Sequence, residues 1–186
     1  MKENKNIGLI GLGFVGNAFN SYVKHYHNIC SFDLVKKSSC KSIEEVVNKS
    51  EIIFVCLPTP MRKDGSCDIS IVHNVVKEIN HFSVEDKVVV LKSTIPVGTT
   101  RKLNLEFSKI NIVFNPEFLT EANSIDDFAN QNRIIIGGEH EDSLEKVYNL
   151  YFEMFENSKL ICTDSQTAEM VKYTTNCFLA TKVSFA

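Results

Sequence analysis

Short apolar runs alternate with segments of helical periodicity along most of this 186-residue chain, and this alternation limits its fold more than any other feature. The predicted strands are NIGLIG, ICSFD, EIIFVCL, KVVVLK, NIVFN, NRIIIGG and KLIC. Continuous apolar strands that alternate with helices form a parallel sheet covered by helices on both faces. The sequence therefore predicts an α/β fold with one doubly wound, mostly parallel sheet.

Composition and charge exclude several classes of protein. The net charge is −3 and both signs are scattered, whereas a nucleic-acid-binding surface needs clustered lysine and arginine. No apolar run approaches the roughly 20 residues of a membrane helix, and the N-terminus shows no signal-peptide cleavage site. The six cysteines stand singly, which is typical of reduced thiols and predicts no metal site. We expect a cytoplasmic protein that binds neither nucleic acid nor membranes.

The first predicted strand ends in GLGFVG, which places Gly11, Gly13 and Gly16 in GxGxxG spacing at the start of a helix. A strand, a glycine turn and a helix N-terminus are together the context in which this spacing binds a dinucleotide. The backbone N–H groups of the first helical turn, at Phe14 and Val15, would then face the pyrophosphate. This pattern predicts a Rossmann-type cofactor site.

Asp33 closes the second predicted strand, 22 residues beyond Gly11. A carboxylate at this point accepts hydrogen bonds from the adenosine ribose and repels the additional phosphate of NADP. The alternative is a strand-end aspartate that only makes a turn, and the neighbouring Lys36 and Lys37 leave some room for NADP. The sequence favours NAD as the cofactor.

Polar residues also follow later strands, where a doubly wound sheet presents its ligand crevice. Pro58 and Thr59 follow the third predicted strand, and Thr94 follows the fourth in KSTIPVGTT. From the residues alone, these are a rigid strand exit and a turn or N-cap hydroxyl, or they border a site. Glu117 and Glu121 follow the fifth strand. In a helical turn they would share a face and suit proton transfer; otherwise they belong to a solvated acidic turn.

The last predicted helix is opened by Thr163, with Gln166 three residues further on. It contains Lys172 and Asn176, which are four residues apart and therefore on one face. In an otherwise apolar stretch, such residues are either solvated or directed at a polar pocket.

Several stretches together resemble the UDP-glucose/GDP-mannose dehydrogenase family: GLIGLGFVG, VCLPTPMRKDGSCDIS, KSTIPVGTT, NPEFLTEANSIDDFANQNRIIIGG and AEMVKYTTNCFLATKVSFA. They follow the family's order and cover nearly the whole chain. The Lys-Ser-Thr and Pro-Glu-Phe-Leu segments resemble most the members that act on UDP-glucose. The resemblance implies a two-step oxidation of a UDP-sugar, most simply UDP-glucose, to the uronic acid with two NAD.

The resemblance also implies roles for individual residues. Thr94 would reach the nicotinamide and a water molecule, and Pro58 and Thr59 would lie along the cofactor. Lys172 would stabilise a developing alkoxide, and Asn176 would help to hold that oxygen and an ordered water.

The segment after the fifth strand would serve the substrate. By the same resemblance, Glu117 activates the water that hydrolyses a thioester, and Glu121 contacts both cofactor and substrate. The backbone around Phe118 and Leu119 would line the sugar site.

In the family, a cysteine in a glycine-rich segment of a second domain captures the aldehyde. No cysteine here has that context. The resemblance therefore implies an NAD-binding domain over 1–163, the start of a long interdomain helix over 164–186, and an absent C-terminal substrate domain. Such a chain is expected to bind NAD without completing the oxidation and to form a homodimer through the exposed helix.

Two alternatives remain at this point. A β-hydroxyacid dehydrogenase also pairs GxGxxG with a lysine and an asparagine four residues apart, although the NPEFLTEA segment argues against it. The other alternative is a non-catalytic NAD-binding or assembly module that complements a partner chain.

Overall fold

A computed structural model describes residues 4–84 and 86–186 of the chain. Every predicted strand is present, and strands alternate with helices as the sequence pattern requires. The elements are β1 (Asn6–Ile10), α1 (Phe14–Val23), β2 (Asn28–Phe32), α2 (Ile43–Lys49), β3 (Ile52–Val55), α3 (Ser70–Phe82), β4 (Lys87–Leu91), α4 (Thr99–Glu106), β5 (Ile110–Phe114), α5 (Ser124–Ala129), β6 (Arg133–Gly137), α6 (Glu141–Met154), β7 (Lys159–Thr163) and α7 (Ser165–Phe185).

The strands form one sheet in the order β2-β1-β3-β4-β5-β6-β7. The first five in that order are parallel to one another, and β6 and β7 are parallel to each other. β6 joins β5 through a single antiparallel pair, Phe114 and Gly137, so the predicted mostly parallel sheet is confirmed. The strand order reverses between β1 and β3, which is the switch point at which such sheets bind ligands beyond their carboxyl ends. We refer to the ends of β1 to β5 as the carboxyl edge.

Both faces of the sheet are covered, as β3 illustrates. Ile52 and Phe54 belong to a core shared with α1, where the Phe54 ring lies 4.2 Å from the ring of Phe19, centroid to centroid. Ile53 and Val55 point to the other face and pack with residues of α2, α3 and α4. Because neither face meets water, the strand consists of apolar residues without alternation.

The start of α7 differs from the prediction by one residue. Asp164, not Thr163, caps the helix, and its carboxylate accepts a hydrogen bond from the Thr167 N–H at 2.9 Å. Thr163 is the last residue of β7 and pairs with Gly137 in the sheet, so its backbone belongs to the strand. The first turns of α7 pack on β5, β6 and α4, whereas its final turns are exposed.

The fold also bears on the cysteines, metals and membranes. All six cysteines are unpaired. Within residues 4–84 and 86–186, no group of three or more His, Cys, Asp or Glu side chains is placed to hold a metal ion. The same residues include no helix that is both long and apolar enough to span a bilayer.

Candidate functional site

The glycine turn between β1 and α1 excludes side chains at two positions. Gly11 has φ 93°, a conformation that glycine adopts without strain, and an added Cβ would lie 2.3 Å from the Cys56 carbonyl oxygen. An added Cβ at Gly16 would lie 1.9 Å from the Gly11 carbonyl oxygen. At Gly13, by contrast, an added Cβ would meet nothing within 4 Å. The turn is tightly packed toward the protein and open on the side where a ligand would approach.

The N-terminus of α1 is suited to an anion. Gly13 is its N-cap, no described side chain caps it, and its first turn carries no acidic residue. The N–H groups at Phe14 and Val15 thus start a helix whose own first turn places no carboxylate at its positive dipole end. These features fit the pyrophosphate of a dinucleotide.

Asp33 lies beside this turn and is half-buried. Its Oδ2 accepts a hydrogen bond from the Leu12 N–H at 2.6 Å, and its Oδ1 accepts from the N–H groups of Val35 and Lys36 at 2.9 and 2.8 Å. Burial alone would raise the pKa of Asp33, but these backbone bonds outweigh it and hold the pKa below the usual carboxyl value. The carboxylate therefore makes the strand-end turn that the sequence allowed as an alternative to ribose binding. It still has a lone-pair position for another donor.

Two loops at the carboxyl edge are joined by hydrogen bonds. The Ser93 hydroxyl accepts from the Leu57 N–H at 2.9 Å, and the Thr59 hydroxyl donates to the Thr94 carbonyl at 2.7 Å. Pro58 is exposed between them, and Thr94 is half-buried. The loops after β3 and β4 therefore form one continuous surface.

α4 begins at Thr99 with Gly98 as its N-cap, so the N-cap alternative for Thr94 is wrong. The helix is held instead by Glu169 of α7, a wholly buried carboxylate that sequence reasoning missed. Glu169 accepts hydrogen bonds from the Gly98 N–H at 2.5 Å, and from the N–H and hydroxyl of Thr100 at 2.8 and 2.6 Å. The stretch KSTIPVGTT thus contains the start of α4, which is hydrogen-bonded to α7. It also borders the crevice at the carboxyl edge.

Lys172 and Glu117 form a buried ion pair. The Lys172 ammonium donates to the Glu117 carbonyl at 2.6 Å and to Glu117 Oε1 at 2.9 Å. The two side chains are 7% and 14% exposed. Glu117 Oε2 accepts from the Leu119 N–H at 2.8 Å, and the Phe118 ring centroid lies 5.6 Å from the Lys172 nitrogen. Lys172 is therefore directed at a polar pocket.

Two other predicted residues are not drawn into this cluster. Residues 115–120 form no helix, so the helical turn that would place Glu117 and Glu121 on one face is absent. The hydrogen bond within the segment, from the Leu119 N–H to the Glu117 side chain, competes with a helical arrangement. Glu121 is exposed, and so is Asn176, one turn beyond Lys172.

A buried polar network lies behind the ion pair and was also missed from the sequence. Lys92 is 4% exposed, and its ammonium donates to Asn115 Oδ1 at 2.7 Å. The same oxygen accepts from the Tyr151 hydroxyl at 2.5 Å, and the Asn115 amide donates to the Ile135 carbonyl at 2.7 Å. Burial lowers the pKa of Lys92 to about 8. Nothing in the sequence distinguishes this lysine from a solvated strand end.

A cavity of about 320 Å³ opens beside the segment after β5. Phe118 and Leu119 line it together with Arg133, whose guanidinium carbon lies 5.2 Å from the Phe118 ring centroid. A larger cavity of about 530 Å³ lies between α1 and the turn from α6 to β7, and none of the predicted site residues lines it. The smaller cavity is the one that adjoins the predicted chemistry.

Comparison with known proteins gives the family. The sequence model of the NAD binding domain of the UDP-glucose/GDP-mannose dehydrogenase family matches residues 32–155. An uncharacterized protein of Methanocaldococcus jannaschii is 39% identical over 149 residues, which cover 75% of this chain and 16% of that protein. The UDP-glucose 6-dehydrogenase YwqF of Bacillus subtilis is 37% identical over 153 residues, which cover 77% of this chain and 34% of the relative.

A solved structure gives the same result. The UDP-glucose dehydrogenase of the archaeon Pyrobaculum islandicum superposes with a TM-score of 0.88 at 25% identity, over 98% of this chain and 51% of that one. The chain thus spans at most about half the length of these relatives.

Proposed function

The chain belongs to the UDP-glucose/GDP-mannose dehydrogenase family, and we propose that it is the NAD-binding portion of an enzyme that oxidises UDP-glucose to UDP-glucuronate. NAD is the cofactor of this domain. The observation that carries the proposal is the buried Lys172–Glu117 pair, which lies at the same carboxyl edge as the glycine turn. Two relatives named UDP-glucose 6-dehydrogenase support the choice of substrate. Membership of this family sets aside the β-hydroxyacid dehydrogenase alternative.

The cofactor half of the site would work through backbone groups. The pyrophosphate would lie against the N–H groups at Phe14, Val15 and Gly16, in the open space at Gly13. Asp33 would accept from the adenosine ribose with the lone pair that its three backbone bonds leave. The nicotinamide half would then extend past Pro58 and Thr59 toward Thr94.

NAD, when bound, supplies the hydride acceptor for the primary alcohol carbon of the sugar. Lys172 would then stabilise the alkoxide oxygen that forms when the sugar hydroxyl loses its proton to a site water, before the hydride leaves the neighbouring carbon. An ammonium group has three N–H donors, and two of those of Lys172 are directed at Glu117, so one remains for the substrate oxygen. Asn176 would hold the same oxygen from the next helical turn.

Glu117 would be the base that activates water in the hydrolytic step. Its carboxylate is fixed from both sides, by Lys172 at Oε1 and by the Leu119 N–H at Oε2, which orients it without a helix. Phe118 and Leu119 would line the sugar site next to the cavity, and Glu121 would contact cofactor and substrate from the exposed side.

We also propose that residues 164–186 start an interdomain helix and that two copies pair through it. Apolar side chains at its end are highly exposed, with Phe178 at 67% and Val183 at 79%. A pairing helix would cover them. Light scattering of the purified chain should give twice the monomer mass of 21.0 kDa, and a monomer with α7 ordered by NMR would contradict the pairing.

The test of the function separates cofactor binding from turnover. Calorimetry should show that the chain binds NAD, and that Asp33→Ala weakens this binding because a ribose acceptor is lost. With NAD and UDP-glucose we expect no sustained NADH production, because no cysteine in the sequence lies in a glycine-rich segment that could capture the aldehyde. Sustained turnover would place the nucleophile within these residues, and the inference that the cysteine chemistry is missing would be wrong. NAD binding with activity restored by a partner chain would favour the assembly-module alternative.

A further inference from the structure

Three residues form a row across the carboxyl edge, one step beyond β3, β4 and β5. Cys56, Lys92 and Asn115 each donate a backbone hydrogen bond to the neighbouring strand, at 2.8, 2.9 and 2.9 Å, so they continue the parallel ladder. Their side chains lie on the sheet face covered by α1, α5 and α6, and the Lys92 nitrogen stands 5.8 Å from the Phe128 ring centroid. The middle member of the row is therefore a buried cation.

The charges around this row do not balance. Lys172 is paired with Glu117, whereas no carboxylate in the described part of the chain lies within ion-pairing distance of Lys92. Lys92 is close enough to Cys56, Glu117 and Lys172 for their charges to act on one another. With both lysines protonated, the cluster carries one positive charge in excess.

Packing alone does not explain this lysine. A buried cation without a counter-ion is costly, and an apolar side chain of similar length would fill the same space. Asn115 does not require it either, since the Tyr151 hydroxyl also donates to Asn115 Oδ1. The feature that only a lysine supplies here is its charge.

The row lies where one end of the cofactor would rest. A dinucleotide that starts at Asp33 after β2 and crosses the glycine turn after β1 must place its nicotinamide half over the ends of β3 and β4. The nicotinamide ring is positively charged in NAD and uncharged in NADH, so a nearby positive charge acts differently on the two forms.

We propose that Lys92 sets the preference of this site for the reduced cofactor, because its charge repels the oxidised nicotinamide ring and leaves the reduced ring unaffected. The inference rests on the NAD site proposed above. By thermodynamic linkage, tighter binding of NADH makes the bound NAD a better hydride acceptor, which suits the oxidation of an alcohol. Lys92 is in this sense an electrostatic residue of the site and need not touch the reacting atoms.

The direct test compares Lys92→Met with Lys87→Met in this chain. Lys87 lies at the other end of β4, where its ammonium donates to the Ser50 carbonyl at 3.0 Å, so its replacement removes the same charge far from the site. Calorimetry gives the dissociation constants of NAD and NADH for each protein. We expect the ratio of the NAD constant to the NADH constant to fall by roughly three- to tenfold in Lys92→Met. Lys87→Met should keep the ratio of the unmodified chain.

The ratio distinguishes a charge effect from damage to the fold. A variant that is merely distorted should bind both forms less well and leave their ratio in place. An unchanged ratio in Lys92→Met would overturn this inference alone. Failure of the unmodified chain to bind either form would overturn the proposed function and this inference with it.

A pH series on the unmodified chain gives a second readout that needs no substitution. The pKa of Lys92 is lowered to about 8 by burial, so its charge is present below that pH and lost above it. The ratio should therefore fall as the pH rises through about 8, and Lys92→Met should lack this step. Of the other groups that face Lys92, Cys56 has its pKa raised to about 12 and Tyr151 well above its usual value. Glu117 and Lys172 are present in both proteins and cancel in the comparison.

Discussion

The two halves of the carboxyl edge are built in different ways. In the half around the glycine turn, backbone groups of the glycine motif make most of the contacts, and the bond from the Leu12 N–H to the Asp33 carboxylate spans only 21 positions. In the other half, side chains of α7 reach across 55 positions to Glu117 and 71 positions to Gly98. The first half is specified by a local motif, and the second exists only once the sheet and α7 have assembled.

The difference between the two halves can be tested first at the glycine turn, where we expect the largest effect. Gly16→Ala would place a methyl group 1.9 Å from the Gly11 carbonyl oxygen, so we expect a loss of about 3 kcal/mol in the free energy of unfolding and no detectable NAD binding. Gly13→Ala is the matched control, because its methyl group meets nothing within 4 Å. Gly13→Ala should lower the free energy of unfolding by at most about 1 kcal/mol, yet it should still weaken NAD binding. Urea unfolding and calorimetry check both, and equal stability losses would contradict the packing argument.

The corresponding test of the second half is to break the buried ion pair. Lys172→Met leaves the Glu117 carboxylate buried without its cation, and we expect a loss of about 2–3 kcal/mol in the free energy of unfolding. Adding Glu117→Gln to this variant should recover part of the loss, since the uncompensated charge is then removed. A double-mutant cycle in urea measures the coupling between the two residues, and additive losses would show that the contact is energetically idle.

A smaller effect of the same kind is expected at Glu169. In Glu169→Gln an amide NH₂ replaces one carboxylate oxygen and faces an N–H donor at Gly98 or Thr100. Because two donors then face each other, we expect the free energy of unfolding to fall by about 2 kcal/mol. Asp164→Asn, on the same helix and exposed, is the control and should cost less than about 1 kcal/mol. Thermal unfolding of both variants provides the measurement. If the control is the more damaging change, the exposed cap and not the buried carboxylate holds α7 in place.

These contrasts explain which parts of the molecule could be predicted from the sequence. The strands were predictable because burial on both faces leaves runs of apolar residues such as IIFV, and the glycine turn because its spacing follows from backbone geometry. The sequence left a helical turn and a solvated acidic turn open for Glu117 and Glu121. The helical turn is absent, because the hydrogen bond from the Leu119 N–H to the Glu117 side chain competes with it.

The residues that the sequence did not reveal share one property. Lys92 and Glu169 are charged side chains whose burial depends on elements far away in the chain, and neither stands in a pattern that distinguishes it from a solvated charge. Glu169 does lie three residues before Lys172 on the same helical face, which is the one local signal that could have indicated it. The spacing of apolar residues along the sequence indicates which faces of a strand or helix are buried. It does not indicate which polar groups contact one another there.

The smallest predicted effect returns to the first half of the edge and concerns pH. Backbone hydrogen bonds hold the pKa of Asp33 in the folded chain below its usual value. The ionised carboxylate therefore stabilises the fold at pH values above its unfolded-state pKa of about 3.9. This contribution is lost as the pH falls through the folded-state pKa. Asp33→Asn should therefore be less stable than the unmodified chain at neutral pH. Because Asp33 is half-exposed, we expect the free energies of unfolding of the two proteins to differ by only about 1 kcal/mol. The difference should shrink as the pH falls below about 4, where the aspartate becomes protonated and resembles the amide more closely. Urea unfolding at several pH values measures it, and a difference that stays constant down to acid pH would mean that the charge of Asp33 contributes nothing to the turn.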